Sequence, residues 1–248
     1  MTNAHPERPA ASLCCIGAAK SFTVGSITQT VIRDITLAIH PGELTLIVGP
    51  SGSGKSTLLS MLSGLLRPDA GHFAAFGQDI WALSESELDR FRLQYCGYIF
   101  QGFNLFNALT ALQNVILPLQ YLGIDKEAAT RRALQALDEV GLAARAHLRP
   151  GELSGGEKQR VAISRALVKE PRFIFADEPT SALDKHNGQI VIDLLKDIAH
   201  RHRATVLGVT HDPRLLSHAD RVITLEDGSI LADRQGADIG ADTQGESP

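Results

Sequence analysis

Hydrophobic and polar positions follow two different periods along this chain. Apolar runs typical of strands buried on both faces of a sheet lie at 44–48, 173–177, 205–210 and 221–225. Leu58, Leu59, Leu62 and Leu65 follow the first run at helical spacing, and a second helix is expected from about Gln189 to His200. Strands that alternate with helices predict an α/β fold with a parallel sheet.

Two further segments, 13–16 and 31–40, also look like strands. Within the second, Ile35, Leu37 and Ile39 alternate with polar or small residues. We expect these segments to form a small antiparallel β subdomain at the edge of the core, with a polar loop at 23–30 between them.

The pattern changes again between about residues 86 and 168, which are mostly helical. Here Ala133, Leu137 and Val140 share one face of a helix that Gly141 ends. Because the sheet resumes at 173, the pattern predicts a helical subdomain inserted into the parallel-sheet core. The polar ends at 1–11 and 234–248 are expected to be disordered, which leaves 12–233 as one folded domain.

Composition limits the class of protein. The 248 residues are 44% hydrophobic, enough for a large core, and the net charge of −4 provides no overall positive field for nucleic acid. No apolar run approaches the roughly 18 residues of a membrane helix, and the N-terminal residues lack the apolar segment of a secretory signal. We therefore expect a cytoplasmic chain whose three cysteines, Cys14, Cys15 and Cys96, are structural thiols.

Residues 49–57 read GPSGSGKST and fit the phosphate-loop pattern of Gly, four residues, Gly, Lys and Ser or Thr. They lie between an apolar strand and a helix, so backbone N–H groups and the lysine would surround phosphate oxygens. A plain Gly/Ser-rich turn is the alternative, and it explains neither the lysine nor the flanking elements. The expected nucleotide-binding residues are Gly49, Pro50, Ser51, Gly52, Ser53, Gly54, Lys55, Ser56 and Thr57.

Residues 153–160 read LSGGEKQR, in which Ser154 and Glu157 form a capping box at the start of a helix. Gly155 and Gly156 leave the first turn without side chains, so a phosphate could approach the positive helix end. An ordinary capped helix explains the same residues.

A pair of carboxylates, Asp177 and Glu178, ends the apolar run that begins at Phe173. In a doubly wound sheet the ligand site lies at the carboxyl ends of the strands. One carboxylate that holds a metal ion and a neighbour that accepts a proton would suit hydrolysis, and a solvated loop is the alternative.

Together these motifs resemble those of the ATP-binding-cassette (ABC) ATPases, in the same order, over about residues 12–233. The resemblance implies the fold of a P-loop NTPase, ATP and Mg²⁺ as cofactors, and ATP hydrolysis. It implies that Ser56, Gln101 and Asp177 meet Mg²⁺, that Glu178 is the general base, and that His211 and Gln101 approach the γ phosphate. It assigns further nucleotide contacts to Phe22, Ser154, Gly155, Gly156, Glu157 and Asp184.

The resemblance also implies partners. A complete site pairs the phosphate loop of one copy with LSGGEKQR of another, so a second copy of the chain is required. The short apolar cluster of Phe103, Leu105 and Phe106 occupies the place where the family docks an integral membrane permease, although core packing explains the same residues.

Within the family, the strings IFQGFNLF, LTALQNVILPL and ADEPTSALD are most similar to the bacterial branch for lipoprotein release, macrolide efflux and glycolipid export. We expect an ATPase subunit on the cytoplasmic face of the inner membrane that drives a permease on another polypeptide. A cell-division-type cassette is an alternative within the family. A soluble cassette acting on DNA, ribosomes or iron–sulfur assembly, and a small-molecule P-loop kinase, are alternatives of other classes.

Overall fold

The computed structural model describes residues 10–236 and residue 238. Its strands are β1 Leu13–Val24, β2 Ile27–Ile39, β3 Leu44–Val48, β4 Ala70–Ala75, β5 Gln78–Asp79, β6 Cys96–Ile99, β7 Phe173–Asp177, β8 Thr205–Val209, β9 Arg221–Glu226 and β10 Ser229–Gln235. Its α-helices are α1 Lys55–Leu62, α2 Glu85–Tyr95, α3 Ala111–Tyr121, α4 Lys126–Glu139, α5 Gly155–Leu167 and α6 Lys185–His202. Short 3₁₀ helices lie at Ala143–Arg145, Pro150–Glu152 and Pro213–His218.

The larger sheet confirms the predicted α/β fold. Its strand order is β10-β9-β3-β8-β7-β6, and all neighbours are parallel except β10, which pairs antiparallel with β9. Alternate strand residues enter different cores because successive side chains point to opposite faces. Thus Phe173 and Phe175 pack with α1, whereas Ile174 and Ala176 pack with α6.

The smaller sheet, of order β2-β1-β4-β5, is antiparallel. Our expectation of a polar loop at 23–30 is wrong, because β1 and β2 continue as a hairpin in which Val24 pairs with Ile27 and Thr23 with Thr28. Strand-favouring Thr, Val and Ile residues fill this stretch, and Gly25, with a φ of 61°, lies in its two-residue turn.

The helical region departs from expectation at its start. β6 lies inside the stretch 86–168 that we expected to be mostly helical, and it pairs with β7 as an edge strand of the larger sheet. Four residues are too few to show a strand period in the sequence. After β6, helices α3, α4 and α5 bury a third core of their own, and Gly141, with a φ of 71°, follows α4 as predicted.

The chain ends fall largely outside the described residues. This applies to the disorder expected for residues 1–9, 237 and 239–248. Disorder is the wrong expectation for Arg234 and Gln235, because they extend β10 and pair with Val222 and Arg221. No helix within the described part of the chain is long and apolar enough to cross a membrane.

Candidate nucleotide-binding site

The site lies where three adjacent parallel strands, β3, β8 and β7, reach the same edge of the larger sheet. The loops that leave these ends enclose a cavity of about 650 Å³. It is lined by Gln29, Val31, Ser51, Gly52, Gly54, Lys55, Ser56, Thr57, Gln101, Glu178 and His211. Residues from β2, the phosphate loop, the end of β6, and the ends of β7 and β8 therefore meet around one space.

The phosphate loop needs glycine at two positions for reasons of space and backbone angle. A Cβ on Gly49, whose φ is 147°, would lie 1.9 Å from the carbonyl oxygen of Leu225. A Cβ on Gly54, whose φ is 99°, would lie 2.7 Å from the carbonyl oxygen of Val31. No side chain caps α1, so its first N–H groups face the loop without competition and can bind an anion.

Lys55 brings a buried cation to this loop. The residue is 7% exposed, and its Nζ donates hydrogen bonds of 2.9 Å to the carbonyl oxygens of both Gly49 and Pro50. The loop thus holds the ammonium group beside the N-terminus of α1, where a phosphate would find both a positive charge and free N–H donors. These features fit a nucleotide phosphate.

Ser56 and Asp177, two of the residues expected at Mg²⁺, are in contact. The hydroxyl of Ser56 donates a 2.7 Å hydrogen bond to Asp177 Oδ1. A hydroxyl and one carboxylate are the hard oxygen ligands that suit Mg²⁺ when nucleotide phosphates supply the rest. The described residues contain no cluster of three or more His, Cys, Asp or Glu side chains that could hold a metal ion alone.

Glu178 points to a different place from its neighbour Asp177. Its Oε2 lies 2.9 Å from His211 Nδ1, and its side chain is 13% exposed whereas that of His211 is 64% exposed. Oε2 is buried and accepts no hydrogen bond of regular geometry from the described residues. Glu178 also has a left-handed backbone, with a φ of 48°, which is strained in a non-glycine residue.

Gln101 lies two residues after the end of β6, is exposed and lines the cavity. The turn after it is unusual, because Phe103 and Asn104 have φ angles of 61° and 48°. Arg165, near the end of α5, donates to the carbonyl oxygens of Phe103 at 2.9 Å and Asn104 at 2.5 Å. Burial lowers the pKa of this guanidinium, which nevertheless holds the turn beside Gln101.

The residues of LSGGEKQR at 153–160, the signature residues, lie at the start of α5 and are not among those that line the cavity. Ser154 is the N-cap: its Oγ accepts from Glu157 N at 3.3 Å, and its own N–H donates to Glu157 Oε2 at 2.8 Å. Gly156 is buried, and a Cβ there would lie 2.5 Å from Asn187 Oδ1. The first turn of α5 therefore packs directly on α6.

Asp184 caps the neighbouring helix α6 by accepting a 3.0 Å hydrogen bond from Asn187 N. This backbone hydrogen bond, followed by one from the Asn187 side chain, lowers the pKa of the Asp184 carboxyl. Like the signature residues, Asp184 does not line the cavity. Within one copy of the chain, the signature helix therefore does not reach the cavity that the phosphate loop lines.

Comparison with known proteins decides the family. The family model described as "ABC transporter" matches residues 32–181, more than half of the chain. The chain belongs to the ABC transporter family. The family match confirms the predicted ABC ATPase cassette, and the roles of the individual site residues stay predictions.

Curated relatives of this cassette are longer proteins. It is 46% identical over 219 residues to "Macrolide export ATP-binding/permease protein MacB" of Pectobacterium atrosepticum, covering 88% of this chain and 34% of that protein. It is 44% identical to the protein of the same name from Psychrobacter arcticus, covering 90% of this chain and 33% of the relative. The chain therefore spans about a third of the length of the curated relatives it matches.

Solved structures share the fold of this cassette over most of both chains. The ATP-binding cassette MJ0796, solved as a dimer in a post-hydrolysis state bound to ADP and Pi, has a TM-score of 0.84 and 36% identity, covering 90% of this chain and 98% of that one. A second neighbour, cbiO1 from Clostridium perfringens, is part of the ABC transporter complex cbiONQ; its TM-score is 0.82 at 26% identity, covering 91% and 89%.

Phe22, the predicted adenine contact of the ABC cassette, lies outside the cavity lining. Phe22 is 41% exposed and is not among the cavity-lining residues, although it pairs in register with Gln29, which is. The Nζ of Lys20 lies 5.6 Å from the centroid of its ring. Its contact with adenine stays a prediction.

The expected permease-docking cluster divides in the structure. Leu105 packs against the third core, whereas Phe106 is 59% exposed. Phe106 lines an apolar groove of about 530 Å³ with Phe100, Pro118 and Tyr121. Core packing thus accounts for Leu105, and Phe106 remains the accessible member.

Sequence reasoning missed three residues of this ABC cassette. Gln29 and Val31 line the cavity from β2. The predicted loop at 23–30 hid Gln29, and Val31 lies at the start of the predicted strand 31–40 without a motif that would point to a ligand. Arg165 supports the turn after Gln101. Its only signal in the sequence is an arginine within an otherwise apolar helix segment.

Proposed function

We propose that this chain is the ATPase subunit of a bacterial export or extraction machine, in which ATP joins two copies and their opening and closing moves a membrane permease. The observation that supports this most strongly is the separation of the two phosphate-binding elements. Lys55 and Glu178 face one cavity, whereas Ser154 and Gly156 lie elsewhere in the same chain. A second copy would bring its signature helix to that cavity.

Mg-ATP, when bound, supplies the phosphoanhydride bond and the cation that neutralises its oxygens. In our proposal Lys55 leaves the carbonyl oxygens of Gly49 and Pro50 and donates to phosphate. Ser56 and Gln101 would provide oxygen ligands for Mg²⁺, and Asp177 would hold the ion through water. The N–H groups of residues 51–57 surround the phosphates, and Phe22 stacks on the base.

Glu178 accepts the proton of the attacking water. Its contact with His211 at 2.9 Å holds the carboxylate beside the cavity that both residues line. His211, which is largely exposed, is free to turn toward the γ phosphate.

The second copy completes the site. Ser154, Gly155, Gly156 and Glu157 of one protomer present the start of α5 to the nucleotide of the other, and Asp184 lies between the two sites. The dimeric state of the structural neighbour MJ0796, bound to ADP and Pi, supports this arrangement. Hydrolysis removes the bridging phosphate, so the dimer opens.

The permease would dock at the groove beside Phe106, close to Phe103 and Leu105, with the cassette on the cytoplasmic face of the inner membrane. The names of the relatives, which join "ATP-binding" to "permease", support a membrane partner. Export of a macrolide, a lipoprotein or a glycolipid fits this branch. The relatives are about three times longer, and their names include the permease. For this chain we propose a permease on a separate polypeptide.

A pull-down tests the proposal. The Glu178→Gln variant is used to capture partners from detergent-solubilised membranes in Mg-ATP. Lys55→Ala, which we expect to bind nucleotide much more weakly, is the matched control at an ATP concentration that saturates only Glu178→Gln. A permease enriched only by Glu178→Gln is the expected result. Equal capture by both variants, or a ribosomal, DNA-bound or iron–sulfur partner instead, would overturn the transport function.

A further inference from the structure

The start of the signature helix carries an ion pair that the proposed function does not use. Arg145 lies in the 3₁₀ helix Ala143–Arg145, and its Nε is 3.4 Å from Glu157 Oε1. The Arg145 side chain is 56% exposed, whereas that of Glu157 is 21% exposed. Of the described residues, only Arg145 forms an ion pair with Glu157.

The two oxygens of Glu157 have different partners. Oε2 accepts the hydrogen bond from Ser154 N, and Oε1 faces Arg145. Hydrogen bonding to Ser154 N lowers the pKa of the Glu157 carboxyl most, and the charges of Arg145 and Arg160 lower it further. Glu157 therefore carries a full negative charge in the first turn of α5 at neutral pH.

This charge has opposite effects on the helix and on a phosphate. A carboxylate in the first turn stabilises the helix because it opposes the positive end of the dipole. The same carboxylate repels an anion that approaches Ser154, Gly155 and Gly156. A helix end that binds the phosphate of another copy thus needs a cation beside Glu157.

The neighbouring cation Arg160 is directed elsewhere. Its Nη1 lies 3.5 Å from Asn187 Oδ1 on α6. Arg145 instead reaches Glu157 from outside α5, and its side chain is largely exposed.

We propose that Arg145 is a positioning residue, which neutralises Glu157 and orients its carboxylate toward the cap, so that the start of α5 accepts the phosphate of a second copy. The inference rests on the proposed function, because it assumes that ATP joins two copies through this helix end.

The test compares four proteins: the wild type, Arg145→Gln, Glu157→Gln and the double variant. Glutamine at 157 can still accept the hydrogen bond from Ser154 N, so it removes the charge and keeps the cap. Arg149→Gln is the matched control, since Arg149 is exposed in the same connection and makes no ion pair with Glu157. Thermal unfolding without nucleotide shows that all variants are folded.

Kinetics provide the first readout. An exposed ion pair contributes up to about 1 kcal/mol, which corresponds to about a fivefold change in an equilibrium constant. We expect Arg145→Gln to raise KM for ATP about fivefold with little change in kcat. The conservative variant Arg145→Lys should have a KM close to that of the wild type. Glu157→Gln should have a slightly lower KM. The double variant should have the KM of Glu157→Gln.

Rescue by Glu157→Gln separates neutralisation from a purely structural role. If the double variant has the raised KM of Arg145→Gln, Arg145 does not act through Glu157. The same conclusion follows if Arg149→Gln also raises KM and Glu157→Gln lowers it again to the same extent.

The second readout is ATP-dependent dimerisation in a Glu178→Gln background, measured by light scattering after size-exclusion chromatography. Because both signature helices act in one dimer, the effect enters twice, and we expect Arg145→Gln to weaken dimerisation about 25-fold. If Arg145→Gln leaves dimerisation unchanged, only the proposed role of Arg145 is overturned. Failure of the Glu178→Gln protein itself to dimerise would instead overturn the proposed function.

Discussion

The hydroxyl of Ser56 donates to the carboxylate of Asp177 across 121 positions of the sequence. Ser56 lies in the first turn of α1, after β3, and Asp177 ends β7, two strands away in the sheet. Parallel order brings the two elements to one edge, so ligands from distant motifs share one site. This contact connects the phosphate loop to the strand-end carboxylates.

Lys55→Ala should weaken ATP binding by roughly 10- to 100-fold, since hydrogen bonds to charged groups contribute about 1.5–3 kcal/mol. Isothermal titration calorimetry in the Glu178→Gln background, in which ATP hydrolysis is slow, measures the affinity directly. Lys126→Ala, on the exposed face of α4, removes the same charge away from the cavity and is the control. Equal affinity in the two variants would contradict the phosphate role of Lys55.

Glu178→Gln should hydrolyse ATP about 10²- to 10⁴-fold more slowly, the range expected for loss of a general base. Glutamine has nearly the same shape, so nucleotide affinity should change little. Phosphate release at saturating ATP is the measurement. Turnover close to that of the wild type would remove Glu178 from the role of base.

Ser154→Arg should abolish ATP-dependent dimerisation while leaving ATP binding to the single chain intact. The arginine removes the N-cap of α5 and places bulk where a second copy would approach. Light scattering with and without Mg-ATP, in the Glu178→Gln background, checks this. Ser154→Thr retains a capping hydroxyl and should still dimerise. Dimers of Ser154→Arg would show that this helix end is not the contact.

Gln159→Leu should stabilise the protein. Gln159 is 1% exposed, and neither atom of its amide has a hydrogen-bond partner among the described residues. A buried polar group without a partner costs about 1–3 kcal/mol, so an apolar side chain of similar size should raise Tm by roughly 2–8 °C. Gln120→Leu, at an exposed position on α3, is the control. A lower Tm for Gln159→Leu would mean that the amide is needed in the folded state.

The cysteines should differ in reactivity. Burial raises the pKa of the Cys15 and Cys96 thiols to about 12, so both remain protonated in the folded protein at pH 8. Because their unfolded pKa is near 9.0, folding stability should fall as the pH rises from about 9 toward 12. Mass spectrometry after alkylation at pH 8 should find Cys14 labelled first, with Cys15 and Cys96 labelled only after unfolding. Rapid labelling of native Cys96 would contradict its burial.

Much of the site could be predicted because each motif is local. Lys55, Asp177 and Glu178 have fixed places relative to a strand end, and the strand period identifies that end. The contact between Arg165 and the carbonyl oxygens of Phe103 and Asn104 spans about sixty positions and involves backbone atoms. No side-chain pattern encodes such a contact.

The β1–β2 hairpin and β6 show a different limit. Residues 23–30 combine strand-favouring Thr, Val and Ile with a Gly-Ser pair and polar side chains, and the polar composition led to the wrong prediction of a loop. β6 has four residues, and its pairing with β7 depends on Gly97, where a Cβ would lie 2.9 Å from the carbonyl oxygen of Ala166. Tertiary packing, rather than local preference, decides both elements.

Helix α5 belongs to two cores at once. Val161 is buried with α3 and α4, whereas Ile163 and Ala166 are buried against the larger sheet. Ser164 adds a hydrogen bond of 2.9 Å to the carbonyl oxygen of Ala136 on α4. The helical part therefore cannot unfold while the sheet stays folded, because its unfolding would expose the residues of α5 that pack against α3 and α4, and the same helix is part of the core of the sheet. Heat should unfold the cassette in a single cooperative transition, even though its architecture divides into regions.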